Sequence, residues 1–248
     1  LGVSMTGIAS NVLSSFEINM DDLLKNGTKI VLGENKRVAH EIGIKPSSRL
    51  TCVKPAGTTS LTLGTSSGIH AWHSDYYIRR VRVNKNESIY NYLIENHPSL
   101  IEDEYFSPHD TAVISVPQKA PEIGTTRLTE TALSLLERVR TFSRKWVRNG
   151  HTDGINTHNV SATISVKEDE WDIVGEWLWT NREYYNGLSV LPYDGGTYKQ
   201  APFESITKEK YEEMILDLKS VDLTKVVELE DNTNLQGEIA CAGGACEI

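Results

Sequence analysis

Two cysteines close to the end of the chain have the spacing of a redox pair. Cys241 and Cys246 are separated by Ala-Gly-Gly-Ala, and the chain has three cysteines in total. Glycines and small residues let two sulfur atoms meet without fixing them in a packed core. The preceding residues, 228–238, are polar and acidic and show no helical or strand period. We therefore interpret residues 226–248 as a flexible tail that carries a mobile dithiol.

Other interpretations of this pair remain open at this point. A structural disulfide would close a very short loop and would stabilise the protein little. A zinc site commonly has four ligands, and no second pair of Cys or His lies near the tail, so we predict no metal site. A tail without function is the third alternative. The spacing favours redox chemistry over all three.

A loop of small and hydroxyl-bearing residues is the second candidate. It follows a short β-prone run, residues 50–53, and its candidate phosphate-binding residues are Pro55, Ala56, Gly57, Thr58, Thr59 and Ser60. Backbone N–H groups at the start of a helix attract anions, a glycine permits close approach of the backbone, and Lys54 adds a positive charge. An ordinary strand-to-helix turn explains the same residues equally well. The ending Gly-Lys-Ser/Thr of a Walker loop is not present in this segment.

Basic and aromatic residues cluster in the next segment, which contains His70, His73, Tyr76, Tyr77, Arg79, Arg80 and Arg82. Arginines beside aromatic rings suit an anionic or aromatic ligand. A solvated edge strand is the alternative explanation for the arginines. Two further polar stretches, residues 150–159 and 191–202, follow predicted elements, and turn chemistry accounts for them as readily as function does.

The apolar pattern predicts the elements that must position these residues. Helices are predicted to start at Asp21-Asp22 and to cover 36–44, 87–96, 129–148, 168–185 and 208–219. Strands are predicted over 50–53, 76–83, 112–117, 160–166 and 188–191, with Pro117 ending its strand. In the helix over 168–185, the side chains expected to face inward are Trp171, Val174, Trp177 and Leu178. Strands that alternate with helices indicate an α/β fold with parallel strands, with one core over residues 1–225.

Composition excludes several functional classes. The 248 residues are 39% hydrophobic and carry a net charge of −9, which disfavours nucleic acid as a partner. No apolar run approaches the roughly 20 residues of a membrane span, so no membrane partner is expected. Few cysteines fit a reducing, cytoplasmic location. The opening residues, Leu1-Gly2-Val3-Ser4, lack an initiator Met, and we expect a C-terminal portion of a larger protein or one part of a split enzyme.

Taken in chain order, the motifs resemble one enzyme family. They are Lys-Pro-Ala-Gly-Thr-Thr-Ser (54–60), Ser-Gly-Ile-His (67–70), Tyr-Tyr-Ile-Arg-Arg-Val-Arg (76–82), Asn-Val-Ser-Ala-Thr (159–163), Leu-Pro-Tyr (191–193), Tyr-Lys-Gln-Ala-Pro (198–202) and the final Cys-x4-Cys. This order resembles the C-terminal portion of adenosylcobalamin-dependent (class II) ribonucleotide reductases, in the monomeric ribonucleoside-triphosphate reductase branch. The resemblance implies that the chain forms the later part of a ten-stranded α/β barrel.

The resemblance also implies roles for the candidate residues. The 55–60 loop would hold the phosphates of a ribonucleotide substrate, and regions near Tyr76, Tyr77, Tyr193 and Gly195 would contact adenosylcobalamin. The implied reaction removes the 2′-hydroxyl by thiyl-radical chemistry, while a cysteine pair in the active site is oxidised to a disulfide. Cys241 and Cys246 would reduce that disulfide and would in turn be reduced by a thioredoxin-type partner.

The resemblance leaves one gap. The family's radical cysteine, its neighbouring glutamate and the internal cysteine pair belong upstream of Leu1, and Cys52 matches none of them. We expect the chain to require an upstream portion as a partner and to be inactive alone. Two alternatives from other classes are a free-standing protein that binds nucleotide phosphates or cobalamin, and a thiol–disulfide carrier that uses only the tail.

Overall fold

The computed structural model describes residues 1–193 and 198–228. Its helices are α1 (Met20–Glu41), α2 (Thr59–Leu63), α3 (Ser88–Asn96), α4 (Ala132–Phe142), α5 (Trp171–Thr180) and α6 (Lys208–Asp217). Its strands are β1 (Val3–Ser4), β2 (Thr51–Cys52), β3 (Tyr76–Asn84), β4 (Ile101–Asp103), β5 (Thr111–Lys119), β6 (Thr163–Val166), β7 (Ser189–Pro192) and β8 (Phe203–Ser205).

The described chain divides into two compact units. The first unit contains residues 1–72 and 121–193, and the second contains residues 73–120 and 198–228. Apart from residues 226–228, both lie in the range 1–225 for which we predicted one core, and the assignment of that range to one barrel stays a prediction.

Parallel strands form the framework of the first unit. Strand β1 pairs in parallel with β2, and β6 pairs in parallel with β7. A parallel bridge between Val53 and Val160 joins the two pairs, which gives the spatial order β1-β2-β6-β7. The prediction of parallel strands is therefore correct for this unit. The strands of the described residues form no closed barrel.

Helix α4 supplies much of the hydrophobic core of the first unit. Leu136 and Val139 of this helix are fully buried, and they belong to the same cluster as Ile164 of β6. Every second residue from Val160 to Val166 is buried, as the alternating pattern predicted. The predicted helix over 129–148 begins later than expected, because Thr131 caps it, and it continues beyond Phe142 as a π-helical turn, Ser143–Val147.

The largest sheet lies in the second unit and is antiparallel, which corrects the prediction of parallel strands throughout. Its strand order is β4-β5-β3-β8. Strands β3 and β5 pair over nine residues each, from Tyr76 opposite Lys119 to Asn84 opposite Thr111. Strand β8 also pairs with β3 at Tyr77–Arg79, and the Arg80 N–H donates to the Pro202 carbonyl, so Arg79 and Arg80 do not lie on a solvated edge.

Three local expectations were wrong. Pro117 was expected to end its strand, but it lies inside β5. Strand β4 pairs only with Ala112–Ile114, so one side of β5 is unpaired at Pro117. A proline is tolerated there because its missing N–H is not needed for pairing. The helix over 36–44 is the second half of α1 and ends at Glu41. Trp171 is 42% exposed, whereas Val174 and Trp177 are buried as expected.

Candidate functional site

The loop over residues 54–60 leaves the framework of the first unit and turns into helix α2. The Lys54 N–H donates to Ser4 Oγ at 2.8 Å, which ties the start of the loop to β1. Ala56 adopts a left-handed backbone conformation, with φ at 58°. That conformation costs a non-glycine residue about 1 kcal/mol or more, and it allows the Ser60 N–H to donate to the Ala56 carbonyl at 2.9 Å.

Three consecutive backbone donors of this loop face no acceptor in the described part of the chain. The N–H groups of Gly57, Thr58 and Thr59 have no hydrogen-bond partner among residues 1–193 and 198–228. Thr58 and Thr59 are exposed. Successive free N–H groups in a turn are a common way for a protein to bind phosphate. The loop can therefore accept an anion without rearranging its own hydrogen bonds.

Ser60 differs from its neighbours in the loop. It is 1% exposed, its N–H is bonded to Ala56, and its Oγ lies 2.9 Å from Ser67 Oγ. Both of its donors are therefore engaged within the protein. Its contribution in this structure is to shape the loop.

Residues 66–70, called here the supporting segment, lie directly behind the loop. Gly68 has φ at 54°, and a Cβ atom there would overlap the Lys54 carbonyl oxygen and lie 2.9 Å from that of Pro55. Its N–H donates to Thr6 Oγ1 at 2.9 Å. The close approach requires glycine at this position, and it brings together two motifs that the sequence leaves apart.

His70 closes the supporting segment with a buried ring. The Thr163 N–H, at the start of β6, donates to His70 Nε2 at 3.0 Å, and the ring's Nδ1 lies 3.2 Å from the Ser67 carbonyl. The ring is therefore neutral, with its proton on Nδ1. Burial, with a smaller effect from the positive charges of Arg138 and Arg127, lowers the pKa of His70 to about 4, against the opposing effect of the Ser67 carbonyl. These bonds occupy both ring nitrogens, so His70 is not available as a ligand for an anion.

Two of the three β3 arginines are engaged by carboxylates of their own unit. Arg80 lies 3.1 Å from Glu102 and 2.6 Å from Glu204, and its side chain is 10% exposed. Arg82 lies 3.5 Å from Glu104. These pairs neutralise the two arginines, and their function in the described structure is to hold strands β3, β4 and β8 together.

Arg79 packs on an aromatic ring. Its guanidinium carbon lies 4.3 Å from the centre of the Phe203 ring, and burial lowers its pKa. His73 stacks on Phe203, with ring centres 5.4 Å apart. Tyr77 also tilts against Phe203, at 5.9 Å.

Two of the residues that mark the predicted cobalamin regions are packed to different degrees, since Tyr77 is buried and Tyr76 is half-buried. Tyr77 is 5% exposed, and burial raises the pKa of its phenol to about 12. Tyr76 tilts against Tyr211 of α6 at 5.2 Å. These contacts describe the two side chains themselves, and the assignment of the regions around them to cobalamin stays a prediction.

The remaining predicted site residues fall in different places. Tyr193 lies at the end of the first unit, where the charges of Arg127 and Lys167 are 5.7 and 6.0 Å from its ring centre. Gly195, Cys241 and Cys246 lie outside the described residues.

Cys52 has the properties of a core residue. It is 6% exposed, and burial raises the pKa of its thiol, which lowers the fraction of reactive thiolate. Within the described part of the chain, no group of three or more His, Cys, Asp or Glu side chains is placed to hold a metal ion. No helix in that part is long and apolar enough to cross a membrane.

The polar stretch over residues 150–159 is largely used for internal hydrogen bonds. His158 Nδ1 lies 3.2 Å from the Thr51 carbonyl, and the Asn159 side chain donates to the Gly187 carbonyl at 2.8 Å. These two side chains therefore join distant parts of the first unit, and a local turn does not account for them.

Sequence reasoning missed the residues that anchor the loop and its supporting segment from a distance. Ser4, in β1, accepts from the Lys54 N–H, and Thr6 accepts from the Gly68 N–H, in both cases 50 or more positions away. Short hydroxyl side chains near the start of the chain carry no sequence signal for such a role.

Comparison with known proteins gives a consistent result. The chain is 29% identical to the adenosylcobalamin-dependent ribonucleoside-triphosphate reductase of Lactobacillus acidophilus, with 100% of the chain and 36% of the relative aligned. The enzyme of the same description from Euglena gracilis is 29% identical, with 99% of the chain and 33% of the relative aligned. The chain resembles the adenosylcobalamin-dependent ribonucleoside-triphosphate reductases along its whole length. It spans about a third of the length of these curated relatives.

The fold agrees with the sequence comparison. A crystal structure of a B12-dependent (class II) ribonucleotide reductase superposes with a TM-score of 0.74 over 91% of the chain and 34% of that structure, at 22% identity. The likeness shows a shared fold over the matched part. No protein-family model matches the chain.

Proposed function

We propose that the chain is part of an adenosylcobalamin-dependent ribonucleoside-triphosphate reductase and that its 54–60 loop holds the phosphates of the substrate. The observation that carries the proposal is the full-length similarity to these reductases, together with three free N–H groups at the loop that the resemblance assigns to phosphate. Charge-assisted hydrogen bonds from backbone amides are strong and do not depend on the base of the nucleotide. The loop would therefore fix the phosphates and leave the sugar to the reacting groups.

The proposed cofactor is adenosylcobalamin, which supplies the initiating radical when it is bound. The names of the relatives support this assignment. The regions near Tyr76, Tyr77, Tyr193 and Gly195 are the proposed places of contact with it. The proposed architecture is the later part of a ten-stranded barrel, for which the parallel order β1-β2-β6-β7 is the supporting feature.

The proposed partners follow from the electron balance of the reaction. Reduction of the substrate releases the 2′-oxygen as water and takes two electrons and two protons from a cysteine pair, which becomes a disulfide. Cys241 and Cys246 would reduce that disulfide by exchange, and a thioredoxin-type protein would reduce them. The radical cysteine and the internal pair would come from an upstream portion of the reductase, and the whole would act in the cytoplasm.

A matched pair of variants tests the phosphate-binding loop. Thr58→Pro removes one N–H donor, and Thr58→Ala removes the side chain but keeps that donor. We expect Thr58→Pro to weaken binding of a ribonucleoside triphosphate by roughly tenfold or more, since hydrogen bonds to charged groups contribute about 1.5–3 kcal/mol. Thr58→Ala should bind nearly normally. Calorimetry on the chain combined with the upstream portion measures both, and equal affinities would contradict the assignment of the loop.

Reconstitution tests the enzyme. The chain combined with an upstream portion that carries the radical cysteine should form deoxyribonucleotides only when adenosylcobalamin and a dithiol are supplied. A correctly folded assembly that forms none would rule out the proposal.

A further inference from the structure

His70 is a buried side chain of the supporting segment that hydrogen-bonds to the strand framework. It joins the Ser67 carbonyl to the Thr163 N–H of β6, and it is 7% exposed. The supporting segment is also held by hydrogen bonds between Thr6 and residues 66 and 68. The bond from His70 to β6 is therefore an additional connection.

Two contacts connect this segment to the loop. Ser67 Oγ lies 2.9 Å from Ser60 Oγ, and Gly68 packs against the carbonyls of Lys54 and Pro55. Any shift of residues 67 and 68 therefore moves the first residues of the loop and the buried Ser60 together. The three free donors lie between these points, at residues 57–59.

We propose that His70 is a positioning residue for phosphate binding: its neutral ring fastens the supporting segment to β6 and so fixes the direction of the loop's free N–H groups. This inference rests on the proposed function of the loop. The ring touches no substrate, and it acts through Ser67 and Gly68. Displacement of binding groups by about 1 Å can reduce an enzyme's rate by a factor on the order of 100, so a rigid support for short-range donors is a functional requirement.

The surrounding charges keep the ring in the form that the link requires. Arg138, from helix α4, and Arg127, from the segment before it, are the charged groups that act on His70. Arg138 donates to the Ile69 carbonyl at 3.0 Å and pairs with Glu130 at 2.6 Å. A protonated ring could not accept the hydrogen bond from the Thr163 N–H, and its charge would be repelled by the two arginines. Both the hydrogen bond and the repulsion therefore favour the neutral ring.

Hydrogen exchange on the 248-residue chain tests the link directly. His70→Leu removes both polar atoms and keeps a side chain of moderate size. We expect the N–H groups of Ser60 and Thr65, which donate to Ala56 and to Ser60, to exchange roughly tenfold faster. His70→Gln keeps an acceptor for Thr163 and should restore part of the protection. His97→Leu, at an equally buried histidine of the second unit, should leave these two amides unchanged.

Binding then separates positioning from general stability. In the chain combined with the upstream portion, His70→Leu should reduce the preference for a ribonucleoside triphosphate over the ribonucleoside by roughly tenfold. Affinity for the ribonucleoside should stay the same. If His70→Leu does not fold, Ser67→Ala, which removes the hydroxyl contact to Ser60 and keeps the ring, should show the same loss of preference to a smaller degree.

The two proposals fail in different ways. If the unchanged protein binds triphosphate no better than ribonucleoside, the loop does not hold phosphates. If it prefers the triphosphate, and neither the preference nor the exchange of Ser60 and Thr65 changes in His70→Leu, then His70 does not position the loop.

Discussion

At the scale of single residues, His70 and Gly68 have structural roles that their residue types and sequence positions do not indicate. The sequence presents His70 as a possible ligand beside a group of arginines, and the structure uses both of its ring nitrogens inside the protein. Gly68 stands in an ordinary Ser-Ser-Gly run, and the approach of two carbonyls leaves too little room for a Cβ atom there. Each role depends on a residue that is distant in the sequence, Thr163 for His70 and Lys54 for Gly68, so neither could be predicted from sequence neighbours alone.

The lowered pKa of His70 predicts a pH dependence of stability. The folded protein holds the ring neutral down to about pH 4, whereas the unfolded chain protonates it near its ordinary pKa of 6.5. The contribution of the neutral ring to the free energy of unfolding is therefore complete above pH 6.5 and is lost as the pH falls towards 4. The slope is at most about 1.4 kcal/mol per pH unit. Urea unfolding between pH 7 and pH 4 should show a smaller loss in His70→Gln than in the unchanged protein, and identical curves would contradict the neutral ring.

Gly68→Ala should be among the more destabilising single changes in the first unit. The new methyl group would overlap the Lys54 carbonyl, and alanine at φ 54° adds backbone strain. We expect a loss of about 2–4 kcal/mol in the free energy of unfolding. Gly43→Ala is the matched control, because Gly43 has φ at 73° but a methyl group there would meet no atom within 4 Å, and it should cost only about 1 kcal/mol. Equal losses would mean that Gly68 has room for a side chain.

At the scale of elements, the π-helical turn after α4 fixes the strand that leads into the loop. The Trp146 indole N–H donates to the Cys52 carbonyl at 3.0 Å, and Thr51 Oγ1 donates to the Trp146 carbonyl at 2.7 Å. Widened turns of this kind often occur where a helix must meet a functional segment. Sequence periodicity predicts the helix but not the widened turn, which depends on the contact with β2.

Trp146→Phe tests this joint between elements. The change keeps an aromatic ring in the core and leaves the Cys52 carbonyl without its donor, so unfolding should become easier by about 1–3 kcal/mol. Trp179→Phe is the control, since Trp179 is 73% exposed and should change stability by less than about 0.5 kcal/mol. Thermal or urea unfolding measures both. A loss no larger than that of the control would show that the indole N–H does not support β2.

At the scale of the whole molecule, substrate binding and disulfide reduction are proposed for separate parts of the sequence. The loop at residues 54–60, which we propose to bind phosphate, lies in the first unit, and the cysteine pair lies beyond residue 228. The alignment covers about a third of the curated relatives, which agrees with a division of the catalytic residues between this chain and an upstream portion.

The double change Cys241→Ser and Cys246→Ser separates turnover from chemistry in the reconstituted protein. The active-site pair can still reduce one substrate molecule, so we expect about one product per active site, after which the reaction stops. Rapid-quench measurement of the product formed per active site gives the size of the first turnover and shows whether further turnovers follow. Continued turnover with a thioredoxin-type reductant would show that another pair carries the electrons, and loss of the first turnover would give the two cysteines a different role.

Sequence alone determined the local features of this protein. Periodicity placed β3, α3 and α6 close to their observed bounds, alternation identified the buried face of residues 160–166, and the order of short motifs pointed to the reductases. These features depend on neighbours in the chain, where side-chain period and turn chemistry act directly.

Only the tertiary structure decided how distant parts meet. It made the largest sheet antiparallel, placed Pro117 inside a strand, and packed Gly68 and His70 behind the loop at residues 54–60. It also engaged Arg80 and Arg82 with carboxylates that the sequence places 20 or more positions away. Such outcomes depend on strand pairing and on contacts between residues far apart in sequence, and these are set by the packing of the whole core.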